Sequence, residues 1–320
     1  MSAVRRSASW RTFIPLSILA LTAASCAGSD ESTASQSPPD SAETVTLRIG
    51  AIPDQEPERL QRTYELLSDY LEAELGDVAP GIEVEYVPVT EYDSAVTGFA
   101  VGDLDTVWFG ALTGIQARIA VDGANAIVQR DIDAAFTSVF IARADSGIEP
   151  VTDVEGLSAL AGRSITFGSE SSTSGRLMPQ AFLEEAGLDI DADFAGSPGF
   201  SGSHDATLEV VVAGTFEVGA INSELWDDRV AEGVPGADEL IEVFRTPTYP
   251  NYHWVAQPDL DERFGDGFTD DFVDALSSLD ADDADDAEIL DLFGAGAFIT
   301  TQNENYDAME STARDAELIR

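Results

Sequence analysis

The chain contains no lysine. All 16 of its basic residues are arginine, and they face 60 acidic residues for a formal net charge of −44. A chain so poor in positive charge cannot replace the counterions along a phosphate backbone, which excludes nucleic acid as a partner. It also excludes a phosphate loop of the Gly-x-x-x-x-Gly-Lys type. Cysteine occurs once, at Cys26, so no disulfide forms within the chain and the fold rests on its core. There are two histidines, His204 and His253, and they form no His-Glu-x-x-His metal pair. No Gly-x-Ser-x-Gly nucleophile elbow occurs. After residue 25 no apolar run is long enough to span a bilayer. What is present is 320 residues with 44% hydrophobic content, enough for two lobes with a core each, under an acidic surface. That surface resembles adaptation to high salt, where screening lengths fall to ~3 Å at 1 M and self-repulsion is muted.

The first residues carry an address. Arg5, Arg6 and Arg11 precede an apolar stretch from Phe13 to Ala24, and the small residues Ala23, Ala24 and Ser25 stand before Cys26. This pattern predicts a secretory signal over residues 1–25 with Cys26 as a lipid-attached N-terminus. Leu21 lies two positions upstream of the usual lipobox leucine, so plain secretory cleavage with an incidental cysteine is the alternative. Residues 26–43, rich in Ser, Asp, Ala, Glu and Pro, read as a flexible tether.

From Val45 onward strands alternate with helices. Residues 45–51 and 82–88 read as strands, and Pro57 opens a helix that ends at Gly76. Thr90 with Asp93 predicts a capping box for a helix to about Ala100, and Asp105–Trp108 a third strand leading to a helix near Ala111. The same grammar restarts with a strand at Ser164–Phe167, helices at Leu177–Ala186 and Ala206–Ala213, and a strand at Val218–Asn222. Such repetition predicts an α/β architecture with mostly parallel sheets in two lobes. The expected division is 44–142 with 252–320 for one lobe and 147–248 for the other, the β-rich segments Phe136–Ala142 and Tyr252–Ala256 carrying the chain across and back.

Polar donors concentrate where strands give way to helices. The run Gly168–Gly175 offers the hydroxyls of Ser172, Thr173 and Ser174 and several backbone N–H groups, a set suited to an oxyanion, although such a stretch also serves as an ordinary capped loop. Pro179 requires either a helix starting near Arg176 or a kink. In Ser201–Asp205, Ser203 suits an N-cap and Asp205 a first helical turn, while His204 points either into structure or into a cleft as a donor. Trp108, Phe109, Gly110 and Ala111 form a third junction. Arg176 is the basic residue near the two donor clusters, and as a surface helix residue it is expected to face water.

Phe167–Leu188, the Ser201–Ala206 run, Trp108–Gly110 and Gly219–Asn222 together resemble the phosphonate, phosphite and selenate-type solute-binding proteins of ABC importers. The resemblance covers residues 45–310. Phe136–Phe140 and Tyr249–Tyr252 look closest to the subgroup described as selenate binders. It implies a type II periplasmic-binding fold, two mixed sheets joined by two β hinge strands, closing on a small oxyanion. It also implies a permease partner, a monomeric chain anchored at the outer face of the membrane or periplasmic, and no cofactor or metal. By the same resemblance Ser172, Thr173, Ser174 and His204 are ligand donors, Tyr92 is a contact from the first lobe, and Trp108–Ala111 form the opposite wall. Asn222, where relatives place an acidic group for a ligand ammonium, argues against aminophosphonates, and Asp205 is a candidate acceptor. A Ser/His/Asp hydrolase and an envelope scaffold lipoprotein are the rival classes. Mass spectrometry of the mature protein is expected to find a lipidated Cys26 at the N-terminus; an intact Met1 or an unmodified cleaved form as the main product would contradict it.

Overall fold

The computed structural model describes residues 44–319, so the expected signal segment, Cys26 and the tether lie outside the described residues. The apolar alternation beginning at Val45 becomes β1 (Val45–Ala51), followed by α1 (Pro57–Leu75), which turns Leu60, Leu67, Leu71 and Leu75 inward. β2 (Ile82–Tyr86) pairs parallel to β1, and α2 (Tyr92–Ala100) follows. The capping box expected from Thr90 and Asp93 does not form. α2 starts after Glu91 with no side-chain cap, and the Asp93 carboxylate instead accepts from the Ser171 hydroxyl at 2.5 Å. β3 (Thr106–Phe109), α3 (Ala111–Ala120) and β4 (Asn125–Arg130) complete this stretch.

β5 (Ser138–Arg143), β6 (Ile165–Phe167), α4 (Met178–Glu185), β7 (Gly199–Phe200), α5 (His204–Val212), β8 (Val218–Asn222), α6 (Ser223–Ala231) and β9 (Leu240–Arg245) build a second sheet with its helices. The chain then gives β10 (His253–Ala256), α7 (Leu260–Phe264), α8 (Phe268–Ser277), α9 (Ala284–Phe293), β11 (Phe298–Thr300) and α10 (Asp307–Asp315). The first sheet has the order β11-β4-β10-β3-β1-β2 and the second β7-β6-β8-β5-β9, and both mix parallel and antiparallel pairs. The last 60-odd residues return to the first sheet, since β11 pairs with β4.

The expected crossing segments need correcting. Residues 138–142, read as the end of the first lobe, form β5, which hydrogen-bonds to β8 and β9 in the second sheet, while β10 lies in the first. The chain crosses just before each strand, over 131–137 and 246–252, where Phe136 and Tyr249 form an isolated antiparallel bridge. A run buried on both faces, as β5 is, carries no sequence signal for which sheet it joins.

Aromatic rings fill the core of the first sheet. Trp254 is fully buried, with its edge toward Tyr64 and Phe272 and tilted against Trp108. Its indole N–H has no hydrogen-bond partner. Trp254→Ala is therefore expected to cost ~3–5 kcal/mol of unfolding free energy in urea titrations. Trp254→Phe should cost much less, because it removes an unpaired polar group along with the lost ring. Equal losses in the two variants would show that the N–H is satisfied.

Candidate functional site

The two donor clusters predicted from sequence are tied together by the backbone. Ser201 N–H donates to the Phe167 carbonyl and Gly202 N–H to that of Gly168, so the loops after β6 and β7 run side by side. Helix geometry then changes at the hydroxyl cluster. Thr173–Leu177 forms a π turn whose N-cap is Ser172, the Ser172 hydroxyl accepting from Gly175 N–H at 3.0 Å, before α4 begins with Pro179 in its first turn. This resolves the constraint set by Pro179. N–H groups at the start of a helix lack intrahelical acceptors, and Thr173 and Ser174 occupy those positions in the turn. Gly175 allows the close packing here, because a Cβ on it would stand 3.0 Å from both His204 Cε1 and Ser172 Oγ.

His204 is fully buried at the start of α5, which Ser203 caps by accepting from Ala206 N–H. Burial lowers its pKa to about 4, so the ring is neutral at physiological pH. Its Nδ1 accepts from Asn222 N–H at 3.3 Å, and a backbone N–H can only donate. The ring proton is therefore on Nε2, which lies 3.3 Å from Ser174 Oγ and donates to it. With the lone pair of Nδ1 occupied and Nε2 protonated, His204 is arranged as a donor to Ser174 and not as its base.

The other expected residues fall into two groups. Tyr92, buried at the start of α2, carries a hydroxyl beside Ser172 on which no hydrogen bond closes. Leu112 N–H, in the first turn of α3, donates to Thr173 Oγ1 at 2.8 Å, and Ala111 N–H to Asn251 Oδ1 at 3.4 Å. Gly110 permits this approach, since a Cβ there would stand 3.0 Å from Thr173 Oγ1. Asn222 caps α6 through Oδ1 and donates through Nδ2 to the Tyr252 hydroxyl at 3.3 Å. Trp108 stacks on Tyr252 with centroids 5.9 Å apart, whereas Phe109 packs edge-on against Phe99 inside the core. Asp205 is engaged elsewhere, its carboxylate 2.6 Å from Arg229. Arg176 does not face water. It is buried with its guanidinium over the rings of Phe167 and Phe200, because a helical wheel drawn from α4 does not extend back through a π turn.

Sequence reasoning missed two groups at the centre of the site. Asp54, in the turn after β1, is 4% exposed. Its carboxyl meets the Tyr252 hydroxyl, and its backbone carbonyl accepts from His204 N–H at 3.2 Å. Arg130, at the end of β4, pairs with Asp133 at 2.6 Å and Glu224 at 2.8 Å, donates to the Phe293 carbonyl, and lies over Trp108 and Tyr252. A cavity of about 30 Å³, room for one or two waters, lies among Asp54, Trp108, Arg130, Glu224 and Tyr252. The only signal available beforehand was position: both residues follow strand ends, where ligands gather in open α/β sheets. Among the described residues no cluster of three or more His, Cys, Asp or Glu is placed to hold a metal ion.

One guanidinium thus faces two buried carboxyls, Asp54 and Asp133, and a half-buried one, Glu224, and desolvation dominates. Asp54 is pushed up to about 6 and Glu224 to about 7, with Arg130 opposing both shifts.

Against this geometry, the family of ABC transporter, phosphonate, periplasmic substrate-binding proteins matches residues 49–306. The chain belongs to this family. Its members act outside the cytoplasm as binding components of importers. The chain is 42% identical over 274 residues to the probable ABC transporter phosphite binding protein PhnD1 of Prochlorococcus marinus (strain MIT 9301), covering 86% of this chain and 91% of that one. It is 32% identical over 214 residues to the phosphate-import protein PhnD of Mycolicibacterium smegmatis, covering 63% and 61%. The structure of the Prochlorococcus protein in complex with methylphosphonate superposes with a TM-score of 0.82 at 41% identity, covering 86% and 99%. The Escherichia coli aliphatic sulphonate binding protein shares the fold at 16% identity and a TM-score of 0.59, covering 86% and 88%. The selenate subgroup expected from sequence is not named by any of these relatives.

The titration of Glu224 yields a stability prediction. Its folded pKa of about 7 lies above the ordinary 4.5, so the folded chain holds a proton that the unfolded chain has released. That contribution is complete below about pH 4.5 and is lost as pH rises through 7. Urea unfolding is expected to show wild type losing stability relative to Glu224→Gln between pH 5.5 and pH 8. A pH-independent difference would mean that Glu224 is ionised throughout.

Proposed function

We propose that this chain captures a small phosphorus oxyanion, of the phosphite or methylphosphonate kind, between two lobes built on the two sheets and hands it to the permease of an ABC importer. In this reading the mature protein is a monomer held at the outer face of the membrane through a lipid on Cys26. It performs no chemistry on its ligand. The single observation that carries the proposal is a buried set of donors with no acceptor of their own. The Tyr92 hydroxyl stands beside that of Ser172 without a closed hydrogen bond, Ser174 accepts from His204 and so keeps its own proton to donate, and Thr173 and Ser174 open the π turn with first-turn amides. Unmet donors in a buried site call for an acceptor-rich ligand.

The cation count supports the same reading. Arg130 is occupied by carboxylates and Arg176 lies over the rings of Phe167 and Phe200 with its Nε and Nη1 unpartnered, so in this reading hydroxyls, amides and a helix start hold the anion and Arg176 is the nearby cation left without a carboxylate. Phosphite enters because the relative at 42% identity is described as a phosphite binding protein, and methylphosphonate because a structure at 41% identity contains it. Calorimetry with phosphite, methylphosphonate, phosphate and sulfate tests the proposal directly. Thr173→Ala, and His204→Ala, which takes away the donor that orients the Ser174 hydroxyl, are each expected to weaken the best ligand by about one to two decades, the cost of a hydrogen bond to a charged group of ~1.5–3 kcal/mol, with cooperative unfolding retained. Full affinity in both variants would put the pocket elsewhere.

A further inference from the structure

We infer that the cleft binds its anion together with one proton, shared between the anion and the Asp54 carboxyl, so that its preferred ligands are oxyanions carrying an ionisable hydroxyl. This rests on the reading above that the cleft holds an oxyanion. The geometry comes first. Asp54 sits at the end of β1 with its backbone carbonyl bonded to His204 N–H and its carboxyl against Tyr252, whose hydroxyl also receives Asn222 Nδ2. Tyr92, with its free hydroxyl, lies within the electrostatic reach of the same carboxyl. Asp54 thus lines the small cavity together with Tyr252 and Arg130, and its backbone bond to His204 sets it beside the donor loops as a carboxyl that can accept.

The charges around it leave no other way to neutralise it. Arg130 from β4 is the cation facing Asp54, and its N–H groups are bonded to Asp133, Glu224 and Phe293. Asp205 from α5 adds a like charge, and Tyr64 of α1, Tyr86 of β2, Tyr92 and Tyr252 surround the carboxyl as neutral hydroxyls. A carboxylate and a dianion confined in one buried site cannot both stay fully ionised. The raised pKa of Asp54, about 6, is that tendency before any anion arrives.

The proton has two sources. A singly protonated phosphorus oxyanion brings its own and donates its P–OH to the carboxylate. Sulfate brings none, so it binds only the fraction of molecules in which Asp54 is already protonated. The affinity for sulfate should then fall above pH 6 toward a limit of about tenfold per pH unit, as one linked proton requires. The affinity for methylphosphonate should hold until its second proton leaves, which for phosphoryl groups lies around pH 6 or above.

The experiment is titration calorimetry of the mature chain with methylphosphonate and with sulfate from pH 5.5 to 8.5, in two buffers of different ionisation enthalpy to count protons. Net uptake rising toward one proton per anion above each ligand's threshold, with methylphosphonate increasingly favoured over sulfate from pH 6 to 7, is the expected result. Asp54→Asn, which puts a neutral amide in place of the carboxyl, should abolish the uptake with sulfate and make its binding independent of pH. Binding of both anions without proton uptake, or uptake that persists in Asp54→Asn, overturns the inference. Should Asp54→Asn fail to fold, the proton count on the wild type decides alone. Failure of every oxyanion to bind at any pH is a different result, and it overturns the oxyanion reading together with this one.

Discussion

A single guanidinium, buried where the chain passes from one sheet to the other, sets the charge balance of the cleft. Arg130 ends β4 and meets Asp133 in the crossing segment, Glu224 at the start of α6 and the carbonyl of Phe293 at the end of α9. It is plated by Trp108, Phe136 and Tyr252, which exclude water from it. Removing one carboxylate would leave a buried charge uncompensated, a cost of several kcal/mol in comparable pairs. Because its donors are already engaged, Arg130 shapes the site without contributing a free charge to it. It holds Tyr252 in place, and Tyr252 in turn positions Asp54 and Asn222.

Polar contacts join the two sheets, the Ser171 hydroxyl on the Asp93 carboxylate among them. Leu112 to Thr173, His204 to Asp54, Asn222 to Tyr252 and Arg130 to Glu224 each tie an element of one sheet to an element of the other. Between them lie donors without acceptors and a small cavity. Apolar packing is continuous with them, since Phe140, Phe167 and Val218 of the second sheet share one hydrophobic cluster with Leu47, Val107 and Trp254 of the first.

The regular elements were legible because their signals are local. The period of α1, the proline that starts it, the Ser203 cap of α5 and the glycines after α4 and α5 can all be read within a few residues. The donor clusters were legible for the same reason. What could not be read depends on partners far away in the chain. Sheet membership of β5 is decided by pairing with β8 and β9, about 80 to 100 residues later. The π turn at Thr173 re-aims Arg176 by one residue, a change no periodicity announces. Asp54 and Arg130 look like ordinary polar residues at strand ends, and only the fold brings them to Tyr252.

An acidic protein that collects anions works against its own field at long range, and the length scales remove the difficulty. The formal charge of −44 is spread over a surface where salt screens each charge within about 10 Å at 0.1 M and less at higher ionic strength. In the reading proposed above, the hydroxyls of Ser174 and Tyr92 and the start of the helix at Thr173 act on the anion at hydrogen-bond range in a desolvated setting. Long-range repulsion therefore lowers the rate at which anions arrive, chiefly at low salt. Short-range dipoles govern how tightly an anion is held once water has left. A free arginine or lysine in the site would have bound anions of every shape, whereas donors fixed by the backbone of two adjoining loops discriminate by where each oxygen sits and by which oxygen bears a proton.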